Sequence, residues 1–544
     1  MSSPGDLRGT ADAARAAAPF KVVLIVNSVL GKTYGLNIIA AQLRKLGADV
    51  RVLYLADISV SSVYSQSVMS VPNTPGCPEF SEPVISQVVD LCRGASLVGL
   101  SLLTSGYFNA VQMTRRLKDV RPDVPVIWGG KHPTINPTEC LEHADVVCVG
   151  EGDLAMAEYT SALMAGRPPG VIPGLWFREA PAGTAASYYC QDLDNLPFPD
   201  YGPEGHYALE DERVRAITAV DIDRFLLKEY PTMIARGCPM RCTFCTNSAE
   251  DNRRLRIRSA ANVIAELTEA QRRYGPIRRV MFRDDTILSL KADYLREFAS
   301  LWRRGLRLPF SSSGVIPTAV RADKLQLLLD VGFSSVKMGI QSGSLRVRRE
   351  IYWRPETDEQ VLRAADILHG SKTPHVGYMF ITDNPWESEE DTVTSLRFIP
   401  RLPRPFSLSM YSLNLYPGTE LFNQALRENR IANPRAWYNK STMTLSKTYF
   451  NMLFMMQRYY AVPLWLMKLL TSRALYRNAA YRNLFTAAYG WYFRNLTAYG
   501  VERKPVRPKT VLHKGAELFI DVFFRFEFRQ AGDKILRKFR MRPA

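Results

Sequence analysis

The chain has 544 residues, 46% of them apolar, with 33 Gly and 34 Pro, which excludes both a single-core domain and a largely disordered chain. Eight cysteines at this length exclude a secreted disulfide scaffold. The formal charge of +17 is unevenly placed: Lys440 to Ala544 holds 20 Lys/Arg against 5 Asp/Glu, a balance of +15, so the basic character belongs to one end of the chain.

Residues 1–19 are polar and Ala-rich, without a basic start followed by an apolar core, and suit a frayed tail ahead of a cytoplasmic protein. Residues 20–166 alternate apolar runs with helix-period segments. The expected strands are Val22–Val26, Val50–Leu55, Ala95–Leu102, Val124–Trp128 and Asp145–Val149, with helices such as Leu36–Leu46 and Tyr107–Asp119 between them. This α/β pattern predicts a doubly wound parallel sheet whose ligand crevice lies at the carboxyl ends of the strands. Residues 167–224, rich in proline, suit an extended interdomain linker.

Residues 225–432 repeat the alternation, with strands expected at Thr232–Arg236, Arg279–Arg283, Phe310–Val315, Ser335–Ile340, Val376–Thr382 and Ser407–Leu415. Six βα units in a row predict a partial (β/α) barrel with its reactive groups at the strand carboxyl ends. Residues 433–544 change to a basic, aromatic-rich helical region. Its apolar stretches are broken by Arg458 and Lys468, so no membrane span is expected. A helical cap on the barrel accounts for it, and so does an interfacial surface for an anionic membrane or lipid-like substrate. Arg482, Phe485, Trp491, Phe493 and Arg494 could grip a phosphate-bearing group. No module that reads nucleic acid is present.

The chemistry is concentrated in Arg236-Gly-Cys-Pro-Met-Arg-Cys-Thr-Phe-Cys245. Three thiolates at Cys238, Cys242 and Cys245 on one short loop can bind three irons of a 4Fe–4S cluster and leave the fourth iron open. A zinc site normally takes four protein ligands, and no His or fourth Cys lies nearby.

This CxxxCxxC spacing, with Phe244 just before the last cysteine, resembles the radical S-adenosylmethionine (SAM) superfamily. The resemblance implies that SAM chelates the open iron and is cleaved to a 5′-deoxyadenosyl radical. It extends about 200 residues further. Arg283-Asp-Asp-Thr286 matches the place where the family contacts the SAM amino group, so Asp284 and Asp285 are candidates, although Asp285 also suits a helix N-cap. Gly339-Ile-Gln-Ser-Gly-Ser344 is similar to the family's Gly-Ile-Glu-Ser-Gly segment near the SAM ribose, with Gln341 in place of Glu and Ser342 beside it. Asp383–Ser388 and Tyr416–Glu420 match further family turns.

A doubly wound domain ahead of the barrel resembles the cobalamin-binding branch of that superfamily, on the segments Val98–Thr104, Gly129–Thr134 and Val149–Gly152. The implied contacts are Ser101, Thr104, Gly129, Gly130, His132, Gly150, Glu151 and Gly152, small or polar groups that let a large macrocycle and its tail approach the backbone. One departure matters. Branches that ligate cobalt carry Asp-x-His-x-x-Gly after the first strand, and aligning its Gly with Gly35 puts Lys32 at the His position and Leu30 at the Asp. A base-off cobalamin with no protein histidine ligand is therefore expected.

The resemblance implies radical C-methylation of an unactivated carbon by methylcobalamin, for a natural-product or lipid-like substrate, with an anionic one suited to the charge. An oxidative cyclisation or rearrangement, as in the anaerobic magnesium-protoporphyrin ester cyclase-like branch, uses the same parts. A non-catalytic corrinoid-binding protein is a third reading. The first two need an external electron donor such as flavodoxin or ferredoxin. Cytoplasmic residence, with peripheral membrane contact as an option, completes the expectation.

Overall fold

The computed structural model describes residues 19–59, 79–179, 188–250, 253–284, 286–442, 445–459 and 461–487. The expected tail at 1–19 therefore lies outside the described residues but for its last position, as do Asp285, Trp491, Phe493 and Arg494.

Near-continuous β-branched runs make strands buried on both faces, which is what a central parallel strand requires. β1 (Lys21–Val26), β2 (Asp49–Tyr54), β3 (Leu97–Ser101), β4 (Val126–Gly129) and β5 (Val146–Cys148) pair in the order β5-β4-β3-β1-β2, all parallel. The winding reverses between β1 and β3, so the crevice opens beyond those two carboxyl ends. The segment expected as a linker instead enlarges this sheet. β6 (Leu175–Phe177) adds antiparallel to β5, and β7 (His206–Glu210) with β8 (Arg213–Ala216) extends the sheet beyond β2 to eight strands. These strands span only three to five residues each, too few to display a period.

β9 (Tyr230–Thr232) opens the second sheet, and β10 (Ala235–Arg236) and β11 (Arg256–Ile257) form a separate two-stranded ribbon. β12 (Val280–Phe282), β13 (Phe310–Val315), β14 (Phe333–Gln341), β15 (His375–Thr382) and β16 (Ser407–Ser412) follow β9 in sequential order, all parallel. β9 and β16 do not pair, so the barrel is partial, as expected. The strand expected over Thr232–Arg236 is broken because the Asp284 carboxylate accepts the backbone N–H of Ile234 at 3.0 Å and of Ala235 at 2.7 Å. Those are the donors a continuous strand would offer to the neighbouring backbone.

After the barrel, the helix Tyr449–Tyr459 buries Met452, Leu453, Phe454 and Met455 and packs against the helix Glu389–Phe398 and edge strand β16. This part of the C-terminal region is a cap, one of the two expectations. Phe485 packs edge-on to Tyr449 at 5.1 Å and Arg482 pairs with Glu389 at 3.4 Å. No helix of the described residues is long and apolar enough to cross a membrane.

Ion pairs bind the two sheets at the cluster loop. On its N-terminal flank, Arg236 meets Asp153 at 2.6 Å and Glu151 at 3.3 Å, while Arg256 grips both Glu151 oxygens at 2.7 Å. On its C-terminal flank, Lys131 reaches Glu250 and Asn247, each at 2.8 Å. Further along the chain, Arg435 and Tyr438 each meet Glu139 at 2.7 Å. Asp153→Ala leaves a nearly buried guanidinium short of a partner, a loss of about 3 kcal/mol. The expected result is a lower melting temperature and faster iron loss from the reconstituted protein to a chelator; unchanged values for both would contradict this role.

Candidate active site

The loop after β10 is folded by its own turns. Cys245 N–H donates to Cys242 O at 3.1 Å, and Ser248 Oγ donates to Cys245 O at 2.9 Å. None of the three cysteines is in a disulfide; Cys242 is buried and Cys238 and Cys245 are half-buried. No three His, Cys, Asp or Glu side chains of the described residues are grouped closely enough to hold a single metal ion. Thiolates that each take a different iron of a cluster need not converge on one point. Three soft thiol donors on a loop pinned at both ends, two of them reachable, fit a cluster with one open iron.

A buried pair outside the sequence motifs lies against this loop. Arg354 Nη1 stands 3.6 Å from Cys242 Sγ, and its Nη2 donates to Gly339 O and to Glu356, each at 2.9 Å. Burial pushes the Cys242 thiol up, and the Arg354 guanidinium pulls against it by favouring the thiolate. Nothing in the local pattern around Tyr352-Trp-Arg-Pro-Glu356 marks this role, because the contact joins residues far apart in the chain.

The SAM candidates separate into two groups. Gln341 ends β14 at φ +70, half-buried, and its carboxamide folds over Gly339, where a Cβ would stand 2.5 Å from Nε2. It stays at the barrel mouth, at the carboxyl end of β14. Phe244 packs edge-on to Tyr352 at 5.0 Å and stays half-buried beside the thiols. Asp284 is instead 3% exposed, and its carboxylate accepts the Ile234 and Ala235 N–H groups, so it positions the strand leading to the cluster loop. Ser342 is 1% exposed, with its hydroxyl 3.0 Å from Ser395 Oγ and 3.4 Å from Glu387. The adjacent Gly343 is needed because a Cβ there would meet Ser395 Cα at 2.5 Å, so this half of the motif serves helix packing.

The cobalamin candidates separate likewise. Gly130 (φ +100) lies so close to β3 that a Cβ would meet Leu102 O at 2.7 Å and Ser101 Oγ at 3.3 Å. Ser101, Gly129, Gly130, Gly150 and Gly152 are half-buried at the carboxyl ends of β3 to β5. These small groups leave the crevice floor low, which fits a broad macrocycle and its tail. Three others are turned into protein contacts. Thr104 Oγ1 lies 3.3 Å from His132 Nδ1 and both residues are buried, with the His132 ring packed on Tyr107 and Tyr438. Glu151 is consumed by Arg256 and Arg236. The exposed side chains on the turns after β1 and β3 are Lys32 and Leu103, neither an imidazole.

Below Ser342, burial pushes the Glu387 carboxyl up to about 8, and the nearby Asp391 carboxylate adds to it. The folded chain therefore keeps a proton that the unfolded chain releases near the ordinary value of 4.5. Stability from this group is fully present below that ordinary value and is lost as pH rises toward the folded one. A Glu387→Gln variant should show a shallower fall in melting temperature between about pH 5 and pH 8 than the parent; an identical fall would contradict the assignment.

Residues 232–399 match the radical SAM superfamily and residues 20–160 match the B12 binding domain. The uncharacterised methyltransferase PH0819 of Pyrococcus horikoshii is 26% identical over 343 residues, spanning 62% of this chain and 70% of that protein. Cytidylyl-2-hydroxyethylphosphonate methyltransferase of Streptomyces wedmorensis is 24% identical over 443 residues, spanning 74% and 79%. Among solved structures, the cobalamin-dependent SAM radical enzyme OxsB, with aqua-cobalamin and SAM bound, is similar in fold at a TM-score of 0.59 and 13% identity, over 94% of this chain and 75% of that one. Both cofactor-binding halves that the loop and the crevice pointed to are thus matched, and the chain belongs to the cobalamin-binding radical SAM superfamily, whose cofactors are a 4Fe–4S cluster, SAM and cobalamin.

Proposed function

We propose that the protein is a methyltransferase that adds a methyl group to an unactivated carbon of a small, anionic substrate. The observation that carries this reading is the double pinning of the cluster loop to the cobalamin-domain strand ends, through Arg236 and Glu250. When bound, the cofactors supply hydrogen-atom abstraction and a methyl donor, chemistry that a side chain cannot perform. The chain's part is placement: Cys238, Cys242 and Cys245 hold the cluster, Arg354 braces Cys242, and Gln341 stands at the barrel mouth.

An anionic substrate is supported inside the barrel. Val336, Met338 and Ile340 face the outer core, so Ser335, Lys337, Gly339 and Gln341 face the lumen. Lys337 lies over Gly377 beside Ser407, which puts a cation on the inner wall. The relative named for cytidylyl-2-hydroxyethylphosphonate fits the same polarity. For cobalamin, Lys32 and Leu103 at the crevice support a base-off state with no histidine below the metal.

Anaerobic reconstitution with iron, sulfide and hydroxocobalamin tests the whole reading. SAM cleavage, a product heavier by one CH₂, and a cob(II)alamin electron paramagnetic resonance (EPR) signal without nitrogen splitting are expected; Cys242→Ala should abolish cleavage and keep the corrinoid. A product lighter by hydrogen would mean cyclisation, and corrinoid binding without SAM cleavage by the parent would mean a sensor.

Peripheral membrane contact is supported by a second observation. On the helix Leu464–Leu470, Trp465 is 68% and Leu469 53% exposed, one turn apart, next to Lys468. Co-sedimentation with phosphatidylglycerol vesicles, lost on Leu469→Glu, is the expected outcome; absence of co-sedimentation by the parent would refute it.

A further inference from the structure

A cluster that starts radical chemistry must receive an electron from outside, and the structure limits the direction from which it can come. Both ends of the cluster loop face the cobalamin domain: Arg236 is held by Asp153 and Glu151, and Asn247 and Glu250 are held by Lys131. The middle of the loop turns to solvent at the exposed residues Pro239 and Arg241, and Ala249 is exposed beside its pinned end.

The segment Ile351–Arg354 packs directly behind that middle. Thr243 Oγ1 donates to Ile351 O at 2.6 Å, Thr243 N–H donates to Tyr352 O at 3.3 Å, and Arg354 reaches Cys242 Sγ at 3.6 Å. Between these inward-facing neighbours Trp353 alone turns outward, 52% exposed, with its backbone in the left-handed region at φ +51. That conformation is unfavourable for a bulky side chain, and such outliers cluster at functional sites. No packing role explains it, because half of the indole meets water.

Two arginines stand next to these contacts along the chain, Arg241 before Cys242 and Arg349 four residues before Trp353. Arg241 and Arg349 are exposed and, among the described residues, enter no ion pair. Leu345 adds apolar surface at 37% exposure; Arg346 is paired with Asp391, and with Glu350 at 3.8 Å. An exposed Trp with two unpaired arginines has the composition of an interface anchor. Its sign suits an acidic partner, and charge pairing of this kind speeds the brief encounters typical of electron transfer.

We infer that Trp353, Arg241 and Arg349 form the docking surface for a small acidic one-electron carrier of the flavodoxin or ferredoxin class. In the encounter the carrier loses one electron and the cluster gains it; no atom moves. This rests on the presence of the cluster and not on methyl transfer.

The test compares two reductants on the reconstituted holoenzyme. SAM cleavage is followed with an enzymatically reduced flavodoxin and, separately, with dithionite, which needs no docking surface. Arg349→Glu should lower kcat/KM for flavodoxin about tenfold, and Trp353→Gly, which suits the left-handed backbone, should do the same. Dithionite-driven cleavage and iron content should stay at the parent level in both. Unchanged flavodoxin kinetics, or a parallel loss with both reductants, would overturn the inference. Failure of the parent with dithionite would instead count against the functional reading above.

Discussion

Everything in this structure depends on charge pairs removed from water where the two sheets meet. Arg236, Arg256 and Lys131 each cross the junction to a carboxylate, and most of the side chains involved are largely buried. Pairs of this kind add little net stability, since desolvation offsets their attraction. Their effect is on register. Sliding one sheet against the other would strand a buried charge at a penalty of several kcal/mol, so the crevice of one domain and the thiol loop of the other have one low-energy arrangement. Asp284 extends the same control inward by ending the first barrel strand and turning the chain toward Cys238.

Much of this was legible in the residues. The CxxxCxxC loop, the two α/β series and the strand-end glycines depend on short-range patterns, which sequence displays directly. What could not be read was the use of polar side chains across the fold. Glu151, Thr104 and His132 have the chemistry of ligands, yet each finds a partner contributed from elsewhere: Arg256, the neighbouring turn, and the Tyr438 ring beyond the barrel. Asp284 and Ser342 occupy motif positions but serve backbone and helix packing. Arg354 shows the converse, an unmarked residue brought to Cys242 Sγ by the fold. The linker's three strands carry no readable period because each spans only three to five residues.

The loop between Arg236 and Glu250 is thereby given two faces with different tasks. Its ends are committed to the partner domain, where the macrocycle's crevice lies, and its middle is left to solvent beside Arg241 and Trp353. Beyond the barrel, apolar residues of Tyr449–Tyr459 cover the edge strand β16, so the described part of the basic C-terminal region contributes to closing the barrel.

The central claim is that these ties hold the cluster and the corrinoid in one shared space. The direct measurement is the EPR spectrum of the reconstituted protein carrying both a reduced cluster and cob(II)alamin. The account predicts that each signal is broadened or split by the other relative to protein holding one cofactor alone. Two unperturbed, superimposed spectra would place the centres too far apart and contradict it.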